Sequence, residues 1–303
     1  MFKKILFATT ASPVCDEAAK VAFDLAGKYG ASIKVLHVYG LPSHGFSTEV
    51  KEFRSGQEEF ADADHEKQLA DELRASCDHL MGKVSDCDVA VRTGVPQTEI
   101  LRVARKWECD LIVMGAHTRM DETGALRYRN IVGNTMQKVA KSSKAPVLIV
   151  SRPCTSCFWY FENVIFGTDL SKASDAAFAF ALKTAKESGA KLYIFHALEI
   201  EGISAGLPEN QVSLEERLTE ARTKIKERYL TKAGGFDNIA VEVWEGTPYV
   251  EILKFTRERK GDLIVMAHHG KRRDEEADMG STVEQVVLRS SCPVVSVNHE
   301  DRL

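Results

Sequence analysis

The sequence predicts an α/β fold built twice, as two tandem copies of an open, mostly parallel five-stranded sheet with helices on both faces. Three observations carry this reading. Gly94 to Gly115 (GVPQTEILRVARKWECDLIVMG) aligns with Gly246 to Ala267 (GTPYVEILKFTRERKGDLIVMA), and eleven of the 22 positions are identical, which marks an internal repeat. The repeat reaches both ends of each copy. Lys4-Ile5-Leu6-Phe7-Ala8-Thr9-Thr10 matches Asn163-Val164-Ile165-Phe166-Gly167-Thr168-Asp169, and Ala145-Pro146-Val147-Leu148-Ile149-Val150 matches Cys292-Pro293-Val294-Val295-Ser296-Val297. Within each copy, short apolar runs alternate with amphipathic stretches, the pattern of βαβ units with right-handed crossovers.

At 303 residues the chain has room for two cores of about 150 residues each. The copies divide it into a first domain over 1–151, a linker over 152–162 and a second domain over 163–303. In the first, strands are expected near 3–9, 32–38, 87–92, 110–115 and 146–150, and helices near 13–29, 52–84, 96–107 and 131–142. Ala18, Val21, Ala22, Leu25 and Ala26 recur at helical spacing and would face the sheet. Pro96 and Pro248 stand where the first turn of a helix tolerates a missing N–H. Strands of the second domain are expected near 163–168, 191–196, 239–244, 262–267 and 293–297. Runs such as Leu111-Ile112-Val113-Met114 fit strands buried on both faces. Residues 41–65 and 199–212 read as polar connections leading into the second helix of each copy.

Composition excludes several classes. With 40 basic and 44 acidic residues and a net charge of −4, the chain has no electrostatic footprint for nucleic acid or an anionic membrane. Its apolar runs of about five or six residues are too short to span a bilayer, and Met1-Phe2-Lys3-Lys4-Ile5 leads into a strand without the apolar core of a signal peptide. Seven scattered cysteines read as reduced thiols, so a cytoplasmic location is expected. Cys154 and Cys157 form a CxxC in the linker without a second Cys or His pair, so Phe158, Trp159, Tyr160 and Phe161 define that segment better than a metal or redox site does.

Asp262 to Ser281 (DLIVMAHHGKRRDEEADMGS) carries the strongest chemical signal. A buried strand feeds a glycine turn at Gly270, and Gly280-Ser281-Thr282 opens the next helix. Glycines let backbone approach a ligand closely, and a helix N-terminus offers unpaired N–H groups to an anion. In an open parallel sheet, ligands bind beyond the carboxyl ends of the strands where strand order reverses, and Thr168-Asp169-Leu170-Ser171 ends the first strand there. The Asp169 carboxylate could accept a hydrogen bond from an exocyclic amine, or it could cap the following helix, as Ser171 also could. His268 and His269 read first as loop contacts rather than as a general base. Lys271, Arg272, Arg273 and the acids Asp274, Glu275, Glu276 and Asp278 read first as a solvated charge run, although such acids could hold Mg2+ through phosphates. Neither GxxxxGK[ST] nor GxGxxG occurs.

These residues resemble those of the universal stress protein family in both halves. That family carries an Asp at the end of its first strand and G-x2-G-x9-G-[ST] after its fourth. The second copy has Asp169 and Ala267-x2-Gly270-x9-Gly280-Ser281, so only the first glycine departs. The resemblance implies an adenine-nucleotide α-hydrolase-like, Rossmann-like fold and an adenine nucleotide (ATP, ADP or AMP, with Mg2+ alongside ATP) in the second domain. Asp169 would meet the adenine and Ala197 would line its pocket. Met266 and Ala267 would border the ribose, Gly270, Gly280, Ser281 and Thr282 would hold the phosphates, and Thr168 and His269 would belong to the same nucleotide site. The first copy keeps Thr9, Val38, Met114, Gly115 and Thr135, but Thr10 replaces the Asp and Thr118 the second glycine. Fourteen residues, Arg119 to Val132, precede Gly133-Asn134 there, so weak or absent binding is expected.

The resemblance further implies pairing of Val147–Val150 with Val294–Val297 as a built-in pseudo-dimer, with homodimerisation and protein partners as additional expectations. A regulatory nucleotide-binding role in the stress response leads. Slow ATP hydrolysis, phosphoryl or adenylyl transfer, and a nucleotide-independent scaffold are the alternatives, and no nucleophile–base–orienter set is apparent that would define a reaction.

Overall fold

A computed structural model of the chain describes residues 1–12, 15–42, 49–51, 58–60, 63–116, 134–151, 161–199, 211–269 and 279–298. The chain divides into two compact units, Phe2–Pro153 and Cys154–Leu303.

The first unit runs β1 (Lys4–Thr9), α1 (Asp16–Tyr29), β2 (Ser32–Tyr39), three short strands β3 (Leu41–Pro42), β4 (Glu49–Lys51) and β5 (Glu58–Phe60), then α2 (Ala63–Met81), β6 (Cys87–Thr93), α3 (Pro96–Trp107), β7 (Leu111–Gly115), α4 (Asn134–Ser142) and β8 (Val147–Val150). Its main sheet has the order β6-β2-β1-β7-β8, every pair parallel. The second unit runs β9 (Asn163–Gly167), α5 (Ala173–Ser188), β10 (Lys191–Leu198), α6 (Gln211–Tyr229), β11 (Ile239–Glu245), α7 (Pro248–Glu258), β12 (Leu263–Ala267), α8 (Ser281–Arg289) and β13 (Val294–Val297). Its order is β11-β10-β9-β12-β13, again all parallel.

In this order the first two crossovers travel one way from β9 and the last two the other way. Right-handed crossovers therefore put α5 and α6 on one face and α7 and α8 on the opposite face. The reversal falls between β9 and β12.

Local chemistry accounts for the elements. The helix α1 buries Ala18, Ala19, Val21, Ala22, Phe23, Leu25 and Ala26, which includes all five residues read from the spacing. It stops at Gly30, whose φ of 60° is left-handed and costs glycine little. The Ala31 amide then bonds the Ala26 carbonyl at 2.9 Å. The α5 helix stops the same way, at Gly189 with φ 74° and an Ala190 amide 3.0 Å from the Ala185 carbonyl. Pro96 and Pro248 occupy the first turns of α3 and α7. The strands β7, β8, β12 and β13 are buried along their whole length.

One expectation fails. The helix expected over 52–84 begins only at Ala63. Within its expected first part lies β5, which completes an antiparallel meander with β3 and β4, Glu49 standing opposite Phe60 and Lys51 opposite Glu58. Glycine and serine are poor helix formers, and the backbone of 58–60 is taken up by ladder pairing with 49–51 instead.

Candidate functional site

The second-unit site is built where strand order reverses. In register, Gly167 of β9 lies opposite Met266 of β12 and Phe195 of β10, so these carboxyl ends stand side by side. An added Cβ on Gly167 would come 2.5 Å from Ile252 Cδ1 and 3.3 Å from Met266 Cγ. Glycine at this strand position serves packing rather than a turn.

Beyond β9 the chain makes a tight turn. The Thr168 amide continues the ladder to the Phe195 carbonyl at 2.9 Å. Its hydroxyl accepts from the Leu170 amide at 3.0 Å and lies 2.7 Å from the Tyr229 hydroxyl. Its carbonyl is 2.7 Å from His196 Nδ1, and since a carbonyl only accepts, that nitrogen carries the proton. Leu170 has φ 61°, a left-handed conformation that leucine adopts at a cost. Asp169 Oδ1 accepts from the Ser171 amide at 2.9 Å and the Ser174 hydroxyl at 2.8 Å. Asp169 therefore closes a local turn rather than capping the helix, since α5 starts at Ala173 with no side-chain cap bond, and these bonds fix the direction of the carboxylate. Arg228 of α6 bonds the Leu170 and Ser171 carbonyls, each at 3.0 Å, and Asp175 Oδ1 at 2.8 Å.

On the other side of the reversal, β12 ends at Ala267, opposite Val297. Ala267 is extended strand, so alanine fits where the motif has glycine. The His268 amide bonds the Val297 carbonyl at 2.9 Å and its ring Nδ1 lies 2.9 Å from Ser296 Oγ. The His268 and His269 rings meet edge to face, 4.4 Å apart, and both are buried, at 1% and 8% exposure. His269 thus belongs to the packed end of the strand. The Gly280 amide bonds the His268 carbonyl at 3.3 Å, and a Cβ on Gly280 would lie only 3.1 Å from that oxygen. Gly280 caps α8 without a side chain to bond the first-turn amides. Glu284 N returns to Gly280 O at 3.0 Å, while the amides of Ser281, Thr282 and Val283 lead the helix without intrahelical acceptors. Ser281 is exposed and Thr282 half-buried. Ala197 is half-buried on β10, opposite Trp244. Gly270 and the charged residues 271–278 lie outside the described residues.

The first unit repeats the turn with different chemistry. The Thr9 carbonyl lies 2.9 Å from His37 Nδ1, Thr9 Oγ1 accepts from the Ala11 amide at 3.0 Å, and Ala11 has φ 53°. Where Asp169 binds Ser171 and Ser174, Thr10 Oγ1 lies 2.7 Å from Ser12 Oγ and 3.4 Å from Cys15 Sγ. A neutral cluster of two hydroxyls and a thiol replaces a carboxylate. Val38 is buried on β2, and Met114 and Gly115 end β7 opposite Ile149 and Val150. Asn134 and Thr135 open α4, whereas Thr118 and Gly133 fall outside the described residues. Tyr39 ends β2 buried, its ring 5.5 Å from His65.

The residues 1–151 and 161–298 each match the model of the Universal stress protein family. The chain belongs to the universal stress protein family. Among its relatives, universal stress protein MJ0531 of Methanocaldococcus jannaschii is 32% identical over 143 residues, covering 45% of this chain and 82% of its own. Universal stress protein Slr1230 of Synechocystis is 23% identical over 309 residues, covering 97% of this chain and 99% of its own. A universal stress protein structure from Archaeoglobus fulgidus superposes with a TM-score of 0.65 at 23% identity, over 98% of this chain and 97% of that one, which shows the shared tandem fold.

The universal stress protein reading does not by itself point to the residues beneath the turn. Arg228, Tyr229, His196 and Ser174 were not predicted, although His37 and His196 recur at the same place in the repeat and offered a signal. Among the described residues no group of three or more His, Cys, Asp or Glu could hold a metal ion, and no helix is long and apolar enough to cross a membrane. Cys15, Cys77, Cys87, Cys109 and Cys292 are free thiols; Cys154 and Cys157 lie outside the described residues.

Proposed function

We propose that the protein is a regulatory adenine-nucleotide-binding protein of the stress response and that its second domain holds ATP, ADP or AMP. The observation that carries this reading is the approach of Gly280 to His268, which starts α8 against the end of β12, next to the strand that presents Asp169. A fixed carboxylate and a set of helix-leading amides then follow the two strands that flank one switch point. The carboxylate suits an exocyclic amine and the amides suit phosphate.

In this reading Thr168 supports the base-side turn, Asp169 accepts from the adenine amine and Ala197 lines the pocket. Met266 and Ala267 floor the ribose side, and Ser281 and Thr282 meet phosphate together with Gly270 and Gly280. Mg2+ would accompany ATP through its phosphates. Asn134 and Thr135 keep a helix start in the first domain, but Thr10 offers a neutral hydroxyl already engaged by Ser12, a weaker acceptor than a carboxylate. One site per chain follows.

Calorimetric titration of ATP, ADP and AMP into nucleotide-stripped protein tests the reading. One site per chain is expected. Asp169→Asn keeps an oxygen for the Ser171 amide but removes the charge, and about a tenfold weaker affinity is expected, which is about 1.4 kcal/mol. No binding of any of the three would overturn the proposal, and two equal sites would place the first domain on the same footing.

A further inference from the structure

We propose that Arg228 is the positioning residue of this site: its guanidinium clamps the Thr168–Ser171 turn and thereby sets how Asp169 is presented. The affinity half of this proposal rests on the nucleotide reading above; the clamp itself does not.

The geometry is that of a planar fork used on three sides. Nε donates to Asp175 Oδ1 at 2.8 Å, Nη1 to the Leu170 carbonyl at 3.0 Å and Nη2 to the Ser171 carbonyl at 3.0 Å. A rigid guanidinium can satisfy three acceptors in fixed directions at once, which the point charge of a lysine cannot. The two carbonyls it holds belong to the left-handed residue Leu170, with φ 61°, and to its successor. A leucine in that region is strained, and strained turns persist only where their surroundings over-determine them. The neighbouring Tyr229 takes the Thr168 hydroxyl at 2.7 Å, so consecutive residues of α6 grip the turn on both sides of Asp169.

Asp175 anchors the fork. Burial alone would raise its carboxyl, but Arg228 and Lys232 together hold it below the ordinary value, so it stays ionised. The bond to Asp175 in turn raises the guanidinium further. The first unit has the same left-handed turn at Ala11 and an aspartate, Asp16, at the position matching Asp175. Its helix α2 holds a single arginine, Arg74, and among the described residues no hydrogen bond joins Arg74 to the turn. The clamp accompanies the copy that carries the carboxylate.

Two measurements on the full chain test the proposal. In nucleotide-free protein, amide exchange by NMR is expected to quicken about tenfold at Leu170 and Ser171 in Arg228→Ala and Arg228→Lys, with Ile194 on β10 unchanged as the sign of an intact fold. In titrations with ATP, Arg228→Ala is expected to bind about tenfold more weakly and Arg228→Lys nearly as weakly. Adding Leu170→Gly to Arg228→Ala is expected to restore part of the affinity, because glycine reaches the left-handed turn without strain. Unchanged exchange at Leu170 and Ser171 would overturn the clamp. A lysine variant that binds like wild type would overturn positioning and leave only a charge effect. A wild-type protein that binds no ATP, ADP or AMP would overturn the nucleotide reading and the affinity half, and the exchange rates would then decide the clamp on their own.

Discussion

The Tyr229 hydroxyl and Thr168 Oγ1 lie 2.7 Å apart, with Tyr229 fully buried and Thr168 at 7% exposure. The bond joins α6 to the end of β9, and the Tyr229 ring also meets Phe166 edge-on at 5.3 Å and tilts against Phe178 at 4.7 Å. Removing the hydroxyl by Tyr229→Phe keeps these ring contacts and is expected to cost about 1 kcal/mol at neutral pH in urea denaturation.

The same pair makes a pH prediction. Burial, above all, pushes the Tyr229 phenol up to about 12, whereas an unfolded phenol ionises near ~10. A folded value above the unfolded one means stability that is complete below about pH 10 and lost as pH rises toward the folded value. The advantage of wild type over Tyr229→Phe should therefore fall across that window by an amount on the order of 2 kcal/mol, enough to cancel it and reverse its sign. A difference that stays flat from neutral to strongly alkaline pH would refute this.

Gly280→Ala tests the close approach of α8 to β12. The backbone of Gly280 is ordinary, at φ −60° and ψ 134°, so any cost comes from the new Cβ at 3.1 Å from the His268 carbonyl. We expect about 1 kcal/mol of destabilisation and a several-fold loss of ATP affinity by calorimetry. Loss of stability with unchanged affinity would separate this glycine from the site.

Gly167→Ala tests packing at the strand end. Its Cβ would meet Ile252 Cδ1 at 2.5 Å in a fully buried region, and about 1–3 kcal/mol of destabilisation is expected. Adding Ile252→Val removes that methyl and should recover part of the loss in thermal melts. The first unit tolerates Ala8 at the matching place, buried at 5% exposure.

Thiol reactivity should follow burial. Burial pushes Cys292 and Cys109 up to about 12 and Cys87 to about 11, and the thiolate is the reactive species. Mass-mapped alkylation at pH 8 should modify half-buried Cys87 first among these, and Cys292 only as fast as the domain opens. Early labelling of Cys292 would contradict its burial and its contact with the Ser290 hydroxyl.

Much of this was legible because it is local or repeated. The alternating runs give the strands, Pro96 and Pro248 give two helix starts, and the α1 spacing gives its buried face. Sheet order then brings Asp169 and the Gly280 helix start together, since both follow strands flanking the reversal. The turn beneath Asp169 was not legible. Arg228 and Tyr229 lie far along the chain on a helix of mixed composition, and only the packing of α6 on the sheet decides which of its residues reach β9. His268 and His269 read as loop contacts because nothing local shows that Ser296, on the next strand, receives the first ring. The meander over β3 to β5 was missed because polar residues with weak local preference take whichever ladder tertiary structure offers.

The two versions of the strand-end turn act as an internal control. Threonine at the strand end, histidine bonding its carbonyl and a left-handed third residue occur in both units, although Thr10 and Asp169 differ in charge. What is shared is scaffolding that the architecture demands, and what differs is free to specialise. Exchanging Thr10 and Asp169 between the copies would then move a charge from one turn to its counterpart while the Ser174 and Arg228 contacts stay behind, so the duplicated chain separates the side chain from the support around it.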